Sequence, residues 1–263
     1  MKTWIALLSC LLFSLLFSAA TACATNQQAA EFVRLLRQTL KNHPEIVLDI
    51  LREHSESVLD IAQQGSSLRR KKNMEHQWRE DLKQPKGVIT TNRPVLGSAK
   101  APVAVVVFSD FTCNYCRQAA EVLDRIIQTR PQDVKVIFKH MPQSKDNAAR
   151  LAAEYFVAAS FQNDRAPWQL YKSFFADPDQ LSADAQNFAA KVAGQAGLDM
   201  KRLAADLKSK KVATILEEDQ ADAKKLQVEG TPYFLVNNLI VRGAVSYDIF
   251  NAAVDMALAH GKK

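Results

Sequence analysis

Two cysteines, Cys113 and Cys116, have the types and spacing needed for dithiol chemistry. They follow an apolar run over 103–108 and precede a segment with helical periodicity, so we expect them at a strand-to-helix turn. A thiol at a helix start lies beside unpaired backbone N–H groups and the positive end of the helix dipole, which favour the thiolate. The second thiol lies one turn further along the helix. The pattern predicts a redox site with Cys113 as nucleophile and Cys116 as the resolving thiol.

Two other roles for this pair fit less well. The pair could be half of a zinc site. Zinc needs about four ligands in all, so a second pair of cysteines or histidines would usually be present. The histidines of the chain have no such paired spacing: His43, His54, His76, His140 and His260. A structural disulfide would close so short a loop that little entropy is gained. We therefore expect no metal and no cofactor other than a redox-active disulfide.

A second part of the site is predicted far downstream, in the run 230–234 with the sequence Gly-Thr-Pro-Tyr-Phe. A proline directly before a central strand is unusual. A cis peptide at Pro232 would explain it and would leave the Thr231 backbone free to pair with an extended substrate. A trans proline that begins an edge strand is the alternative. Asn114 and Tyr115 lie between the cysteines and carry no charge, so we expect them to tune the thiolate by hydrogen bonding and solvent access.

Residues 1–24 are predicted to be an export signal, because Lys2 precedes an apolar run over 5–17 and small residues over 18–24. Cleavage fits after 22 or after 24. Residues 20–23 also resemble a lipobox, which would make Cys23 a lipid anchor. In either case Cys10 and Cys23 leave the set of free thiols. A single remaining cysteine pair in an exported protein predicts a redox site in an oxidising compartment, here the periplasm.

The charge balance gives little support to a nucleic-acid partner. The chain has 34 Lys and Arg residues and 28 Asp and Glu residues, so its net charge is 34 − 28 = +6. The charged residues are spread along the chain, except for a basic run over 69–72. Such a run could bind nucleic acid or anionic lipid, or it could be a solvated helix face. Because no aromatic residues or nucleic-acid motif accompany it, we interpret it as a solvated face.

Residues 25–85 are predicted to form a helical module. Apolar residues recur at helical spacing from Phe32 to Leu40, and again over 46–61 after a break at 42–45. A further break is expected at 65–67, before a charged helix that contains Trp78. Short amphipathic helices must bury their apolar faces, either on the main domain or against other copies. We expect self-association through residues 26–84.

Residues 86–263 are predicted to form an α/β domain. A short β-prone piece lies at 88–91, and strands are expected at 103–108 and 134–139, on either side of the helix that begins with the cysteines. Residues from about 145 to 226 have helical patterns almost throughout. A hairpin across 237–238 and a final helix over 246–260 follow. This order is a thioredoxin order interrupted by a helical subdomain.

Three motifs give the domain its resemblance to a known family. The runs 108–116, 138–142 and 230–234 resemble the DsbA-like branch of thioredoxin-fold proteins, and the run 42–45 resembles the Com-type and ScsC-type exported members. The resemblance implies a thioredoxin fold with an inserted helical subdomain behind an N-terminal oligomerisation module. It also implies a cis Pro232 and dithiol–disulfide exchange on protein substrates, with Thr231 and Pro232 binding the substrate.

The direction of electron flow follows less directly from the resemblance. An added N-terminal module, Tyr115 before the second cysteine and Thr231 before the proline resemble oligomeric disulfide isomerases or reductases. One alternative is a DsbA-like oxidase recharged by a membrane redox partner. A chaperone or metal-sequestering binding protein is a second alternative.

One position departs from the family pattern. Many relatives carry a buried acid six residues before the first cysteine, where this chain has Val107. Asp110 is nearer in sequence, but strand alternation predicts that it lies on the opposite face. Lys139, in the neighbouring strand, is expected to approach the site and to tune it without the family acid as its partner. Proton transfer from Cys116 would then depend on water or Lys139.

Overall fold

The computed structural model describes residues 28–143 and 147–261. The helices are α1 (28–42), α2 (Pro44–Glu53), α3 (Ser55–Asp81), α4 (Asn114–Thr129), α5 (Asn147–Ser160), α6 (Ala166–Ala176), α7 (Pro178–Ala183), α8 (Ala185–Gln195), α9 (Met200–Leu207), α10 (Lys210–Lys225) and α11 (Tyr247–Gly261). The strands are β1 (Val95–Gly97), β2 (Val103–Ser109), β3 (Val134–His140), β4 (Tyr233–Val236) and β5 (Leu239–Arg242). The predicted export signal, with Cys10 and Cys23, lies outside the described residues.

The five strands form one sheet in the order β1-β3-β2-β4-β5. β2 and β3 are parallel and are joined through α4, whereas the other neighbouring pairs are antiparallel. β2 is central and apolar on both faces, as its continuous apolar run over 103–108 predicts. This sheet, with α4 at the end of β2, is the predicted thioredoxin order.

The two faces of the sheet carry separate apolar clusters. Val105 and Val107 point into the larger cluster, which also holds residues of α4, α11 and the inserted helices. Val106 and Phe108 point into a smaller cluster with Ala223 of α10. Residues of β2 therefore alternate between the face that carries the cysteine helix and the face that carries α10.

The inserted helices α5–α10 run between β3 and β4, close to the predicted bounds of 145–226. Their aromatic residues pack around Phe111, which stacks on Phe138 with ring centres 5.0 Å apart. Further rings surround Phe111, from Phe156, Tyr171, Phe174 and Phe175. Each such aromatic pair contributes about 0.5–1.5 kcal/mol beyond its buried area. The inserted helices therefore hold the Phe111 side chain in place, two positions before Cys113.

The described residues before Arg70 form a compact unit of their own, consisting of α1, α2 and the first part of α3. Large apolar side chains of this unit are exposed, including Phe32, Leu36, Ile50 and Leu59. The break predicted at 65–67 is wrong: α3 continues through Gly65, and the interruption lies at His54. A glycine inside a helix costs only about 1 kcal/mol, and its neighbours on both sides are helix-compatible.

The second unit begins at Arg70, earlier than the predicted boundary at 86. The reason is Trp78, which is fully buried in the larger cluster and donates its indole N–H to the Ile240 carbonyl at 2.8 Å. Asp81 accepts the Ile240 N–H at 3.0 Å. Lys86 Nζ donates to the Asn238 carbonyl at 3.1 Å. These three side chains, called here the β5 clasp, tie the end of α3 and the following segment to the outer edge of β5.

Two short elements differ from the prediction. Residues 88–91 form no strand, and the edge strand is instead β1, which pairs with β3. Ile89 N–H donates to the Asp222 carboxylate at 2.7 Å, so a side chain takes the bond that a sheet partner would have made. The hairpin across 237–238 is confirmed, with Asn237 at φ +50°, a value that asparagine tolerates in tight turns.

Candidate active site

The turn between β2 and α4 is held by the Asp110 carboxylate. One oxygen accepts the backbone N–H and the hydroxyl of Thr112, both at 2.8 Å, and the other accepts the Gln143 N–H at 2.7 Å. Cys113 N–H donates to the Asp110 carbonyl at 3.2 Å, which leads the chain into α4. Charge-assisted bonds of this kind are stronger than neutral ones, so they fix where α4 begins.

Cys113 is the N-cap residue of α4, and its side chain is half-buried. Its thiol donates to the Thr231 carbonyl, with 3.7 Å between sulfur and oxygen. The Thr231–Pro232 peptide is cis, as expected. The structure therefore brings Cys113 and Thr231 together across 118 positions of sequence. A sulfur at a helix N-terminus is placed where backbone dipoles favour its ionised form.

Cys116 lies beneath Cys113, and only 1% of its surface is exposed. Burial raises the pKa of its thiol to about 12, and the neighbouring Cys113 adds to the increase. Hydrogen bonds from Ser109, from Thr231 and from the Asp110 N–H, the last at 3.5 Å, oppose it. The two thiols thus have the asymmetry of a dithiol centre, with an accessible outer sulfur and an occluded inner one.

Asn114 and Tyr115 are both exposed in the first turn of α4, and 64% of the Tyr115 surface is accessible. Among the described residues, neither side chain has a hydrogen bond within the protein. Both therefore border the entrance to Cys113. Their predicted tuning role remains a prediction.

Lys139 does not approach the dithiol as expected. Its side chain is fully buried, and its ammonium binds Asp219 at 2.9 Å and Asp222 at 2.7 Å. Lys139 pairs in register with Phe108, whose ring belongs to the α10 face of the sheet. Cys116 packs in the cluster on the other face. The expectation that Lys139 approaches the dithiol is therefore wrong.

Asp219 is also the partner of a buried arginine. Arg93 Nη2 lies 2.8 Å from Asp219 Oδ1, and the Arg93 side chain is 3% exposed. The other Asp219 oxygen accepts the His140 N–H at 2.9 Å. The sequence offers one signal for this network: Asp219 and Asp222 continue the helical spacing of the buried Val212, Ile215 and Leu216 in α10. Acids at the positions of an apolar stripe indicate buried partners.

Val107 lies where many DsbA-like relatives have an acid. It is 2% exposed and faces Phe138 and Phe234 in the neighbouring strands. Asp110 follows the last residue of β2, and the expectation that its side chain lies on the opposite face from Val107 stays a prediction. Its backbone N–H touches Cys116, although its carboxylate is committed to other donors.

His140, for which the sequence indicated no role, is buried at the end of β3 beside Phe111 and Phe156. Burial lowers the pKa of its imidazole to about 4, and the charges of Arg93 and Lys139 act in the same direction. No group in the part of the chain that the structure describes bonds its Nδ1. The ring is therefore a neutral part of the aromatic cluster at neutral pH.

Within residues 28–143 and 147–261, no group of three or more His, Cys, Asp or Glu side chains could hold a metal ion. No helix among the same residues has the length and apolar character needed to cross a membrane.

A buried thiol beneath a half-exposed one, opposite a cis-proline loop on a mixed five-stranded sheet, defines a thiol–disulfide oxidoreductase fold with a DsbA-like helical insert. A family model described as thioredoxin matches residues 90–256, more than half of the chain, so the chain belongs to the thioredoxin family.

Curated relatives match this chain only through one part of their length. The Na(+)/H(+) antiporter NhaA 1 of Salinispora arenicola is 31% identical over 167 residues, which are 63% of this chain and 24% of the antiporter. NhaA 3 of Salinispora tropica is 31% identical over 170 residues, 64% of this chain and 25% of that protein. The chain thus spans about a quarter of these relatives.

Solved structures match this chain over nearly their whole length. A thioredoxin-like oxidoreductase from Silicibacter pomeroyi has a TM-score of 0.56 at 29% identity and covers 64% of this chain and 94% of its own. BdbD from Bacillus subtilis has a TM-score of 0.58 at 22% identity, and the match covers 66% of this chain and 98% of BdbD. A linker-deletion variant of Proteus mirabilis ScsC has a TM-score of 0.54 at 22% identity, and the match covers 88% of this chain and 95% of the variant. The last two matches are similarities of fold.

Proposed function

We propose that the chain is an exported thiol–disulfide oxidoreductase that exchanges disulfides with protein substrates through Cys113 and Cys116. The observation that carries the proposal is the contact of 3.7 Å between Cys113 Sγ and the Thr231 carbonyl, directly above the buried Cys116. An extended substrate could pair with the Thr231 backbone while its disulfide faces Cys113. Pro232 would form the wall beside it.

The exchange proceeds by two sulfur displacements. The Cys113 thiolate attacks a substrate disulfide, one substrate sulfur leaves as a thiolate, and a Cys113–substrate disulfide forms. In reduction, the Cys116 thiolate then attacks the Cys113 sulfur and releases the second substrate sulfur, which leaves a Cys113–Cys116 disulfide. In isomerisation, another thiolate of the substrate displaces Cys113 instead, and the enzyme remains reduced.

Export and the recycling partner belong to the same proposal. The leader-like residues 1–24 support export, as does the likeness to a periplasmic thioredoxin-like protein from Salmonella enterica, with a TM-score of 0.55 at 23% identity. An isomerase or reductase needs a thiol donor to restore Cys113, and a DsbA-like oxidase needs an acceptor. A membrane redox partner could fill either role.

Reduction of insulin and refolding of scrambled ribonuclease test the proposal on the wild-type protein. We expect reduction of insulin in the presence of a thiol donor, and recovery of ribonuclease activity from the scrambled form. Oxidation of reduced ribonuclease without rescue of the scrambled form would instead favour the oxidase alternative. Unchanged disulfides in all of these substrates would contradict the proposed function.

Self-association through the N-terminal helices would give the active sites a shared substrate space. The apolar side chains of α1 and α2 are exposed, with Leu36 45% and Ile50 53% accessible. Runs of exposed apolar side chains on amphipathic helices favour association. The predicted segment 26–84 includes Trp78, which belongs to the catalytic unit, so its complete deletion would damage that unit as well.

Substitution is therefore the sharper test of association. Leu36→Asp combined with Ile50→Asp should reduce the native mass to that of one chain, because two charges would have to be buried in the interface. Rescue of scrambled ribonuclease should be lost and insulin reduction retained. Sedimentation equilibrium measures the mass. Gln38→Asp, on the exposed surface of α1, is the control for added charge. An unchanged mass together with unchanged rescue would contradict a role for these helices in isomerisation.

A further inference from the structure

The resolving step of the proposed function requires that one proton be removed from a buried thiol. Cys116 must lose its S–H proton to attack the Cys113 sulfur of a mixed disulfide. The attack forms the Cys113–Cys116 bond and breaks the Cys113–substrate bond, and the leaving substrate thiolate takes the electron pair. Burial holds the Cys116 thiol in its protonated form, so a nearby group must accept the proton.

Three titratable groups at the ends of β2 and β3, Asp110, Lys139 and His140, are poor acceptors. Both Asp110 oxygens already accept backbone N–H groups. Lys139 is bound to two carboxylates on the other face of the sheet. The His140 imidazole is buried beside Arg93 and Lys139, and these charges disfavour a further proton. With Val107 in place of an acid, the acceptor must lie elsewhere.

A groove between α4 and α6 offers a different route. Its volume is about 350 Å³. Ala120 lines the groove one helical turn after Cys116, and Asp124 lines it one turn further, so these three residues lie on one side of α4. Tyr171 lines the opposite wall from α6. The charged side chains Arg117, Glu121 and Lys172 complete its rim.

Tyr171 is the link between the buried thiol and this groove. Its ring packs against Phe111 and Phe175, with ring centres 6.3 and 4.9 Å away, and the residue is 2% exposed. Among the described residues no side chain or backbone group bonds its hydroxyl. Burial raises the pKa of this phenol well above its usual value, and the charges of Asp124 and Cys116 act in the same direction. It therefore lies within electrostatic range of the thiol and of the carboxylate.

Asp124 is suited to receive a proton. It is half-buried in the groove wall. Desolvation raises the pKa of its carboxyl, and the Lys172 ammonium partly opposes the increase. A carboxylate with a raised pKa is a stronger base than an exposed one and can still return the proton to solvent.

We propose that Tyr171 and Asp124 form the proton relay for Cys116. They take the role of the acid that many relatives carry at the position of Val107. Water that enters the groove takes the proton from the Cys116 sulfur, the Tyr171 hydroxyl orients that water, and the proton passes through solvent in the groove to the Asp124 carboxylate. The phenol is unchanged at the end of the step. Cys116 is left as a thiolate and attacks Cys113, and Asp124 then releases its proton to the solvent.

Stopped-flow reaction of the reduced full-length protein with dithiobis(nitrobenzoate) separates the two thiols. The first thionitrobenzoate released reports attack by Cys113, and the second reports attack by Cys116 on the mixed disulfide. We expect Tyr171→Phe and Asp124→Asn to leave the first release unchanged and to slow the second roughly 10- to 100-fold at neutral pH, toward the low end of general acid–base effects.

The pH dependence gives a readout that a packing defect would not reproduce. In the wild-type protein the second release should slow as pH falls through the pKa of the Asp124 carboxyl. In Asp124→Asn it should instead follow hydroxide concentration and approach the wild-type rate at high pH. Asp124→Glu should restore part of the wild-type profile.

Two matched controls accompany these variants. Tyr155→Phe removes another buried phenol hydroxyl, one bound by Gln186 at 2.9 Å. Glu121→Gln removes another carboxylate of the groove rim. Both should show wild-type rates. An unchanged second release in Tyr171→Phe, or equal slowing in Tyr155→Phe, would overturn the relay. Absence of the first release in the wild-type protein would instead contradict the proposed function.

Discussion

Replacing Cys113 with alanine should abolish disulfide exchange, whereas replacing Cys116 with alanine should stop it halfway. Cys113 carries the accessible sulfur beside Thr231, so without it no mixed disulfide can form. Cys116 is 1% exposed and cannot reach a substrate directly. In Cys116→Ala the outer thiolate still attacks, but no resolving thiol remains.

Non-reducing electrophoresis measures the difference. Cys116→Ala should accumulate covalent complexes with a disulfide-containing substrate, and these should disappear on reduction. Cys113→Ala should form none, and its insulin reduction should fall to the uncatalysed rate. Substrate binding and protection that survive unchanged in Cys113→Ala would favour a chaperone or metal-sequestering protein instead. Complexes in Cys113→Ala and none in Cys116→Ala would show that the two roles are assigned the wrong way round.

Asp219→Ala should reduce the free energy of unfolding by about 3–5 kcal/mol, the usual cost of removing one partner from a buried ion pair. The Lys139 ammonium, with no exposed surface, would lose one of two carboxylates, and Arg93 would lose its buried partner. The His140 N–H would also lose its acceptor. Urea unfolding followed by far-ultraviolet circular dichroism gives the energy.

Glu218→Gln is the matched control for this loss. Glu218 also bonds Arg93, at 3.0 Å, but its side chain is 36% exposed, so we expect a change of only about 0–1 kcal/mol. Adding Lys139→Met to Asp219→Ala should recover part of the stability, since it removes a buried charge that lacks a full set of partners. A loss below about 1 kcal/mol in Asp219→Ala would contradict the view that this network holds α10 against the sheet.

The elements around the dithiol could be predicted from sequence because local patterns determine them. Few neighbours are needed to specify the continuous apolar run of β2, the helical spacing after Cys113 or the turn at Asn237. The continuous α3 could not be predicted in this way. Gly65 and the two serines after it favour a loop, but a glycine inside a helix costs so little that its neighbours decide the outcome.

The chemical neighbourhood of Cys116 was predictable only in part. Val107 showed that the acid found in many relatives is missing. The position of the Lys139 side chain, however, depends on Asp219, which lies 80 positions away in the sequence. Tyr171 and Asp124 meet in one groove only because the inserted helices fold back over α4. A single sequence gives no measure of such distant contacts. Residues that tune the site were therefore harder to find than residues that react.

The β5 clasp has a consequence for how another chain can approach the sheet. Strand edges with free N–H and C=O groups invite pairing with extended peptides and with other sheets. At β5, Trp78 and Asp81 occupy both backbone groups of Ile240, and Lys86 occupies the Asn238 carbonyl. The opposite edge, β1, has three residues. Side chains thus block this edge of the sheet against pairing with the backbone of another chain.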